Sequence, residues 1–339
     1  MTSSSDITTA GTSPTTTPTT WQEGRNDAVA KCVLPLSFDS HKGSSGRVGV
    51  LGGSPRYTGA PYYAAMASLH VGADLAYVFC AQEAAMAIKC YSPELMVAPV
   101  YNAQQFNNAA SSTTTTTTTK DKAELIQEMV DQVVDLMDRM HVLVIGPGLG
   151  RCPTVMEAVA QIIQEGKARN LSMIVDADAL FLLTLEPYQD LFRDYSKVVL
   201  TPNVVEYKRL LQANNDDMTT NYRHAIVVQK GRYDAISHGG DGGESLVCRE
   251  TGGMKRSGGL GDVLAGTMGT FVAWNEILSK REEGGRDSSD RLLSCWAACC
   301  VTKRATKRAF DRKKRAMTAP DVLDDLGFTI NDMTEEEQE

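Results

Sequence analysis

The sequence predicts an α/β protein in which a mainly parallel sheet is covered by helices on both faces. Three observations carry that prediction. Short apolar segments such as Arg47–Leu51 (RVGVL), Val142–Ile145 (VLVI) and Ser172–Val175 (SMIV) read as buried strands. Most of them end in glycine, proline or aspartate and lead directly into a stretch of helical periodicity, the rhythm of strand–helix units. A chain of 339 residues, 42% hydrophobic and 22% charged, suits one large domain of this class or two small ones.

Composition excludes several functions. The formal net charge of −8 argues against general nucleic-acid binding. No apolar run reaches the roughly 18 residues of a membrane-spanning helix, so no membrane role is expected. Eight cysteines, at 32, 80, 90, 152, 248, 295, 299 and 300, show no paired metal-binding spacing. Reduced thiols in a cytoplasmic setting are expected. The first twenty residues are Ser-, Thr- and Pro-rich with no base before Arg25, unlike an Arg-bearing mitochondrial presequence. Residues 1–28 are therefore read as a disordered tail, 29–328 as one domain, and the acidic end, 329–339, as disordered.

In order along the chain, RVGVL is the first strand and Gly52-Gly53 ends it. Thr58 or Gly59 then caps a helix with Pro61 in its first turn. Ala73–Cys80 is a strand, Gln82–Lys89 a helix and Glu94–Val100 a strand. Residues 102–120, with seven consecutive threonines, read as a low-complexity loop. An amphipathic helix at Lys120–Met140 leads to VLVI, which ends in Gly146–Arg151 (GPGLGR), a weak dinucleotide signal because its spacing is GxGxG and Pro147 interrupts it. A helix from about Pro153 follows. After Ser172–Val175, Asp178 is expected to cap a helix, leaving Asp176 at the carboxyl end of a strand, where open α/β sheets bind ligands. Val198–Leu200 leads to Asn203 and Glu206, which have capping-box spacing. Ala225–Gln229 ends in Lys230-Gly231, and a hairpin joins Asp234–Ser237 to Ser245–Arg249. Two long helices, about Asp262–Lys280 and Asp290–Phe310, complete the pattern. Lys303–Arg315 holds eight bases in thirteen residues and reads as the wet end of a helix.

The stretch Thr251–Gly266 (TGGMKRSGGLGDVLAG) carries the functional argument. Gly258, Gly259, Leu260 and Gly261 feed a helix N-terminus, where bare backbone N–H groups and the helix dipole favour an anion such as phosphate. Asp262 then stands where negative charge beside that anion is disfavoured. From local spacing alone, it is equally a base or a helix cap.

Seven motifs in order, HKGSSGRVGVLGGS, YTGAP, VIGPGLGR, VDADAL, TPNVVEYKRL, VVQKG and GGLGDVLAG, resemble those of the ATP-dependent NAD(P)H-hydrate dehydratases of the ribokinase-like superfamily. The resemblance runs from about Lys31 to Leu326. It implies a ribokinase-like three-layer α/β/α sandwich with the site along the carboxyl edges of its strands. It also implies a reaction: water has added to the dihydronicotinamide ring of NADH or NADPH, leaving a hydroxyl at the sixth carbon. ATP phosphorylates that hydroxyl and the ring nitrogen expels phosphate. Hydrated NADH or NADPH in its S form is the implied substrate, ATP and Mg²⁺ the implied cofactors. The thirty residues before the resemblance leave no room for the fused epimerase of bacterial relatives, so a separate epimerase is the implied functional partner. Homo-oligomerisation stays open.

Residue by residue, the resemblance makes Asp262 the base, with Gly258, Gly259 and Gly261 in the anion hole. ATP is placed against Lys230, Gly231, Arg232, Tyr233 and Asp234 and against a second wall of Gly252, Gly253, Met254, Lys255, Arg256, Ser257, Gly258, Gly259, Leu260 and Gly261. Substrate is placed on Gly148, on Asp262 and on Asn203, Val204, Val205, Glu206, Tyr207, Lys208 and Arg209. Glu206, with Asn203, is the element that organises Mg²⁺, through water. Thr58–Pro61 lines the substrate side. Leu260 departs from the family, where a polar residue such as Gln is expected; a side-chain contact is put in doubt and the backbone anion hole is not. Competing readings are a small-molecule kinase of the same superfamily, acting on an alcohol of the hydroxyethylthiazole or hydroxymethylpyrimidine type, and a catalytically inactive nucleotide-binding protein.

Overall fold

Apolar strands buried on both faces need helices above and below them, and the computed structural model, which describes residues 17–111, 120–240, 244–282 and 288–335, has that arrangement. The elements run α1 (Trp21–Cys32), β1 (Arg47–Leu51), α2 (Gly59–Val71), β2 (Leu75–Ala81), α3 (Gln82–Tyr91), β3 (Met96–Tyr101), α4 (Ala103–Ser111), α5 (Lys122–Met137), β4 (Val142–Ile145), α6 (Pro153–Ala168), β5 (Ser172–Val175), α7 (Ala177–Leu182), β6 (Val198–Leu200), α8 (Val204–Ala213), α9 (Thr219–Tyr222), β7 (Ile226–Gln229), β8 (Asp234–His238), β9 (Ser245–Cys248), α10 (Leu260–Arg281), α11 (Ser288–Lys313) and α12 (Ala319–Thr334).

The nine strands form one sheet in the order β3-β2-β1-β4-β5-β6-β7-β8-β9. Pairing is parallel from β3 to β7 and antiparallel only in the last two steps. One face carries α2 and α10, with α1, α11 and α12 packed on them and on the β8–β9 end; the other carries α5 to α8. The three-layer sandwich expected from the strand–helix rhythm is thus present. Among the described residues no helix is long and apolar enough to cross a membrane.

The closest helix contact sits at α2 and α10. A Cβ on Gly266 would lie 1.9 Å from the Ala64 carbonyl oxygen, so only glycine lets the two backbones meet there. A Cβ on Gly269 would lie 3.1 Å from Val144 and 3.2 Å from Val48, a tight fit against the sheet. These contacts seat α10 directly on the sheet, with its N-terminus at the strands' carboxyl ends.

Four expectations need correction. Residues 17–28 are not tail: α1 begins at Trp21, whose ring stacks on Trp296 at 6.1 Å and whose indole N–H donates to the Met333 carbonyl at 3.1 Å. Burial of one large aromatic outweighs the polar composition around it. Residues 1–16 lie outside the described residues. At the other end α12 continues through Thr334, because Ile330 and Met333 are buried against its neighbours. In the stretch 102–120, α4 forms because Phe106 is buried beside Tyr101 and the Glu83 carboxylate accepts the Ala103 and Gln104 amides; the poly-Thr run at 113–119 lies outside the described residues. The basic stretch is not simply solvated: Arg304 pairs with Glu250 at 3.0 Å, Arg312 with Asp325 at 2.8 Å, Arg308 with Asp332 and Lys303 with Asp234 at 3.1 Å. It ties α11 to α12 and to the β8–β9 end.

Trp21→Ala is expected to lower the free energy of unfolding by about 3–5 kcal/mol in urea titrations; a loss under about 1 kcal/mol would show that α1 is not part of the core.

Candidate active site

Parallel strands leave their carboxyl ends along one edge, and the turns that follow them meet there. After β1 come Gly52 and Gly53; after β4, Gly146 to Gly150; after β5, Asp176; after β6, Thr201 to Asn203; after β7, Lys230. Cross-links hold the turns together. Lys230 N–H donates to the Pro202 carbonyl at 2.8 Å, Gly53 N–H to Pro147 at 3.0 Å and the Ser54 hydroxyl to the Gly148 carbonyl at 2.9 Å. Gly148 has φ +63°, and a Cβ there would be 2.9 Å from the Tyr57 carbonyl oxygen, so this turn requires glycine.

Asp178 does not cap α7. Asp176 occupies the N-cap position, and Asp178, two residues on, accepts from the Gly150 amide at 2.9 Å and from Arg151 Nε at 3.0 Å. Lying in the first turn of α7, it pins the glycine turn after β4 to the start of that helix. Asp176 is buried, and its Oδ1 receives the Lys230 ammonium at 2.6 Å, the two side chains being 3% and 17% exposed. Burial opposes the charge on Lys230, but Asp176, Glu206 and Asp262 outweigh it and hold the ammonium's pKa above its ordinary value. The sequence argument had placed Asp176 at a ligand-binding edge without assigning it a contact.

The N-terminus of α10 faces this cluster. Gly259 is the N-cap with φ +92°, and any Cβ on it would meet Tyr63 and Ala319 at 2.7 Å. Val263 N–H bonds to the Gly259 carbonyl, which leaves the amides of Leu260, Gly261 and Asp262 at the open end of the helix. Asp262 is therefore in the first turn and not the cap, and its carboxylate accepts from its own amide. No other described residue donates a hydrogen bond to its carboxylate. Burial first, then repulsion from Asp176, pushes its pKa up to about 7 against the pull of Lys230. Gly261 sits over the ammonium: a Cβ there would lie 3.6 Å from Lys230 Nζ.

A cleft of about 930 Å³ opens beside this helix end. Asn203, Val204, Val205, Lys230, Gly231, Arg232, Tyr233, Asp234, Gly252, Gly253, Met254, Arg256, Leu260 and Gly261 line it. All belong to the groups singled out in the sequence. Val204, Val205, Tyr233 and Met254 are 63%, 57%, 47% and 79% exposed, so four large apolar side chains converge on one opening. Asp234 is buried and shapes the loop: it accepts the Gly231 amide at 2.9 Å and pairs with Lys303, whose ammonium also bonds the Gly231 and Arg232 carbonyls. Arg256 is turned onto the Gly253 carbonyl at 2.8 Å.

The structure also separates residues that the motifs grouped. Lys255, Ser257, Gly258 and Gly259 share the loop but do not line the cleft. Asn203 and Glu206 form the expected capping box, with Asn203 N–H donating to Glu206 Oε2 at 2.8 Å. Tyr207 points elsewhere, into a separate cavity beside Leu211 and Met218, while Lys208 and Arg209 are exposed. At about 100° per residue, only the first turn of α8 faces the cleft. Thr302, Lys303 and Thr306 of α11 also line the cleft, with Thr251 and Leu264. Their signal was the i, i+4 pair of small hydroxyls, hidden within a basic amphipathic helix; Gly253 N–H donates to the Thr306 hydroxyl at 3.2 Å.

The raised pKa of Asp262 has a cost in stability. Its folded value near 7 exceeds the ordinary 3.8, so its contribution is fully present below pH 3.8 and is lost as pH rises to about 7. Asp262→Asn is expected to raise stability at pH 8 by roughly 1–3 kcal/mol, allowing for partial exposure, and to change little at pH 4. Urea unfolding at both pH values checks this; equal stability at pH 8 contradicts it.

Comparison with known proteins accords with this geometry. A family model described as NAD(P)H-hydrate dehydratase matches residues 48–327. The ATP-dependent (S)-NAD(P)H-hydrate dehydratase of Mus musculus is 38% identical over 316 residues, spanning 89% of this chain and 83% of its own. The protein of that name from Schizosaccharomyces pombe is 36% identical, spanning 91% and 93%. Among solved structures, a ribokinase-like superfamily protein of Enterococcus faecalis shares the fold at TM-score 0.66 and 22% identity, covering 91% of this chain and 95% of that one. The ADP/ATP-dependent NAD(P)H-hydrate dehydratase of Bacillus subtilis, co-crystallised with ATP and Mg²⁺, does so at TM-score 0.61 and 19% identity, covering 94% and 99%. The match spans every strand end described above, from the turn after β1 to the helix that presents Asp262, and on it this chain belongs to the NAD(P)H-hydrate dehydratase family.

Proposed function

We propose that the protein is an ATP-dependent lyase that restores NADH and NADPH from the S form of their hydrates, releasing ADP and phosphate. The observation that carries this reading is the uncapped Asp262 carboxylate, in the first turn of α10, between the open amides of that helix and the strand-end turns. ATP fits the cleft of about 930 Å³. Its base lies among Val204, Val205, Tyr233 and Met254, and its phosphates run toward the α10 N-terminus. The hydrated ring approaches from the side of Gly148, Asn203 and Asp262.

Hydroxide is a poor leaving group, and phosphorylation makes it a good one. In the first step Asp262 accepts the proton of the ring hydroxyl as its oxygen attacks the γ-phosphate. Amides of Leu260 and Gly261 donate to the transferring phosphoryl oxygens. The Lys230–Asp176 pair lies beneath them: Lys230 adds positive potential, and Asp176 keeps that ammonium from closing on Asp262.

Mg²⁺ fits this site as an ion carried mostly by the nucleotide. Among the described residues no group of three or more His, Cys, Asp or Glu forms a cage for a metal. Glu206 uses Oε2 for its capping bond and has Oε1 left to meet a metal-bound water. Bound there, the ion supplies charge neutralisation of the phosphates. A chain selective for one epimer leaves the other unrepaired, so we infer functional pairing with a separate epimerase.

Incubated with the S hydrate of NADH, ATP and Mg²⁺, the protein is expected to restore NADH absorbance at 340 nm with one ADP and one phosphate per turnover. Accumulation of a phosphorylated product without NADH would instead assign a kinase. Asp262→Asn is expected to keep ATP binding and lose about 10²–10⁴ in kcat; turnover near the parent's contradicts the role of Asp262. At saturating MgATP, kcat/KM for the hydrate should rise with pH to a plateau, with a midpoint at or above 7, since the base acts ionised and the bound triphosphate adds negative charge. A midpoint near 4 contradicts this.

A further inference from the structure

Dehydration of the ring removes one oxygen and two hydrogens: the hydroxyl proton at C6 leaves on phosphorylation, and a hydrogen at C5 must leave before the C5=C6 double bond exists. The reading above, on which this inference rests, assigns a base to the first proton only. We propose that Asp262 removes the C5 hydrogen as well, so that hydroxyl and hydrogen depart from the same face of the ring.

The case is one of elimination among groups whose positions are known. Every other carboxylate at the strand ends is engaged. Asp176 holds Lys230 at 2.6 Å. Asp178 accepts from Gly150 and Arg151 at 2.9 and 3.0 Å. Asp234 accepts from Gly231 at 2.9 Å and pairs with Lys303 at 3.1 Å. Glu206 spends one oxygen on the Asn203 amide at 2.8 Å. Glu250, a further carboxylate on the cleft wall, is held by the Trp21 amide at 2.8 Å and by Arg304 at 3.0 Å. None of the chain's five histidines lines the cleft, and Asp262 stands next to its lining residue Gly261. Among these strand-end acids, Asp262 alone presents a carboxylate to which no other described residue donates.

The proton balance closes with this one group. First, the hydroxyl oxygen bonds to the γ-phosphorus, the bond from that phosphorus to ADP breaks, and the hydroxyl proton passes to Asp262. Second, the N1 lone pair forms N1=C6 and the C6–O bond breaks; its electron pair leaves on phosphate, which takes the proton from Asp262. Third, the regenerated carboxylate accepts the C5 proton, the C–H pair forms C5=C6 and the N1=C6 pair returns to nitrogen. The sum is hydrate plus ATP giving dihydronicotinamide, ADP, phosphate and one proton. A carboxyl that reaches the C6 oxygen lies on the same face as one of the two hydrogens on the neighbouring C5 and is shielded by the ring from the other. Burial beside Asp176, which pushes the pKa up to about 7, suits a group that must take and give a proton at neutral pH.

The test uses the parent protein and S hydrate carrying deuterium at one C5 position, cis or trans to the hydroxyl as assigned by proton couplings. NADH from the cis-labelled substrate is expected to lose the label and NADH from the trans-labelled substrate to keep it. Loss of the trans label, or loss of both without preference, overturns the proposal. Departing phosphate is a rival acceptor on the same face, and the residual turnover of Asp262→Asn with the two labelled hydrates separates the two. If Asp262 takes the C5 proton, this variant loses the preference for the cis label. If the cis preference persists in full, phosphate is the acceptor and the proposal is wrong. Absence of NADH from unlabelled hydrate with the parent protein would instead defeat the dehydratase reading itself.

Discussion

The site depends on how closely α10 lies on the sheet. Gly266 against the Ala64 carbonyl leaves no room for a side chain, and Gly269 fits tightly against Val48 and Val144. They fix the height of the helix end over the strand termini. With α10 there, its open amides, Asp262 and the buried Lys230–Asp176 pair share one small volume. Each group's charge is then set by the others. Lys230 stays charged because carboxylates surround it, and Asp262 is held near neutrality because burial and Asp176 oppose its ionisation more than Lys230 favours it.

Two kinds of surface meet at that point. The cleft beside α10 is broad and edged with exposed apolar side chains, a form suited to a flat base and its sugar. The turns after β1, β4 and β6 are narrow and bonded backbone to backbone, so their positions are rigid. Asp178 and Asp234 serve this rigidity: each carboxylate is used up in holding a glycine-bearing loop. Committing these acids to structure is what leaves Asp262 as the carboxylate open to chemistry. The ion pairs of α11 with α12 act at longer range, because the same helix supplies Thr302 and Thr306 to the cleft wall.

Much of this was legible in the sequence because it is written in backbone requirements. Gly148 and Gly259 sit at positive φ, Asn203 and Glu206 form the expected box, and the strands fall where apolar runs are followed by breakers. What escaped was decided by tertiary contact. Trp21 draws a polar tail into the core through a stack with Trp296, nearly the whole chain away. Phe106 and the Glu83 carboxylate turn a polar, Gln- and Asn-bearing stretch into α4. Asp176, not Asp178, takes the N-cap position, a choice local spacing does not decide. Asp262 itself could be a cap or a base from its spacing. Gly259 as the N-cap removes the first alternative.

The central claim is that Asp262 is an uncapped carboxylate kept near half-ionisation by its surroundings. The most direct measurement is a ¹³C NMR titration of the Asp262 carboxyl in the free protein, assigned by its disappearance in Asp262→Asn. The account predicts a midpoint near 7. A midpoint near 4, that of an ordinary solvated or capping aspartate, would contradict it.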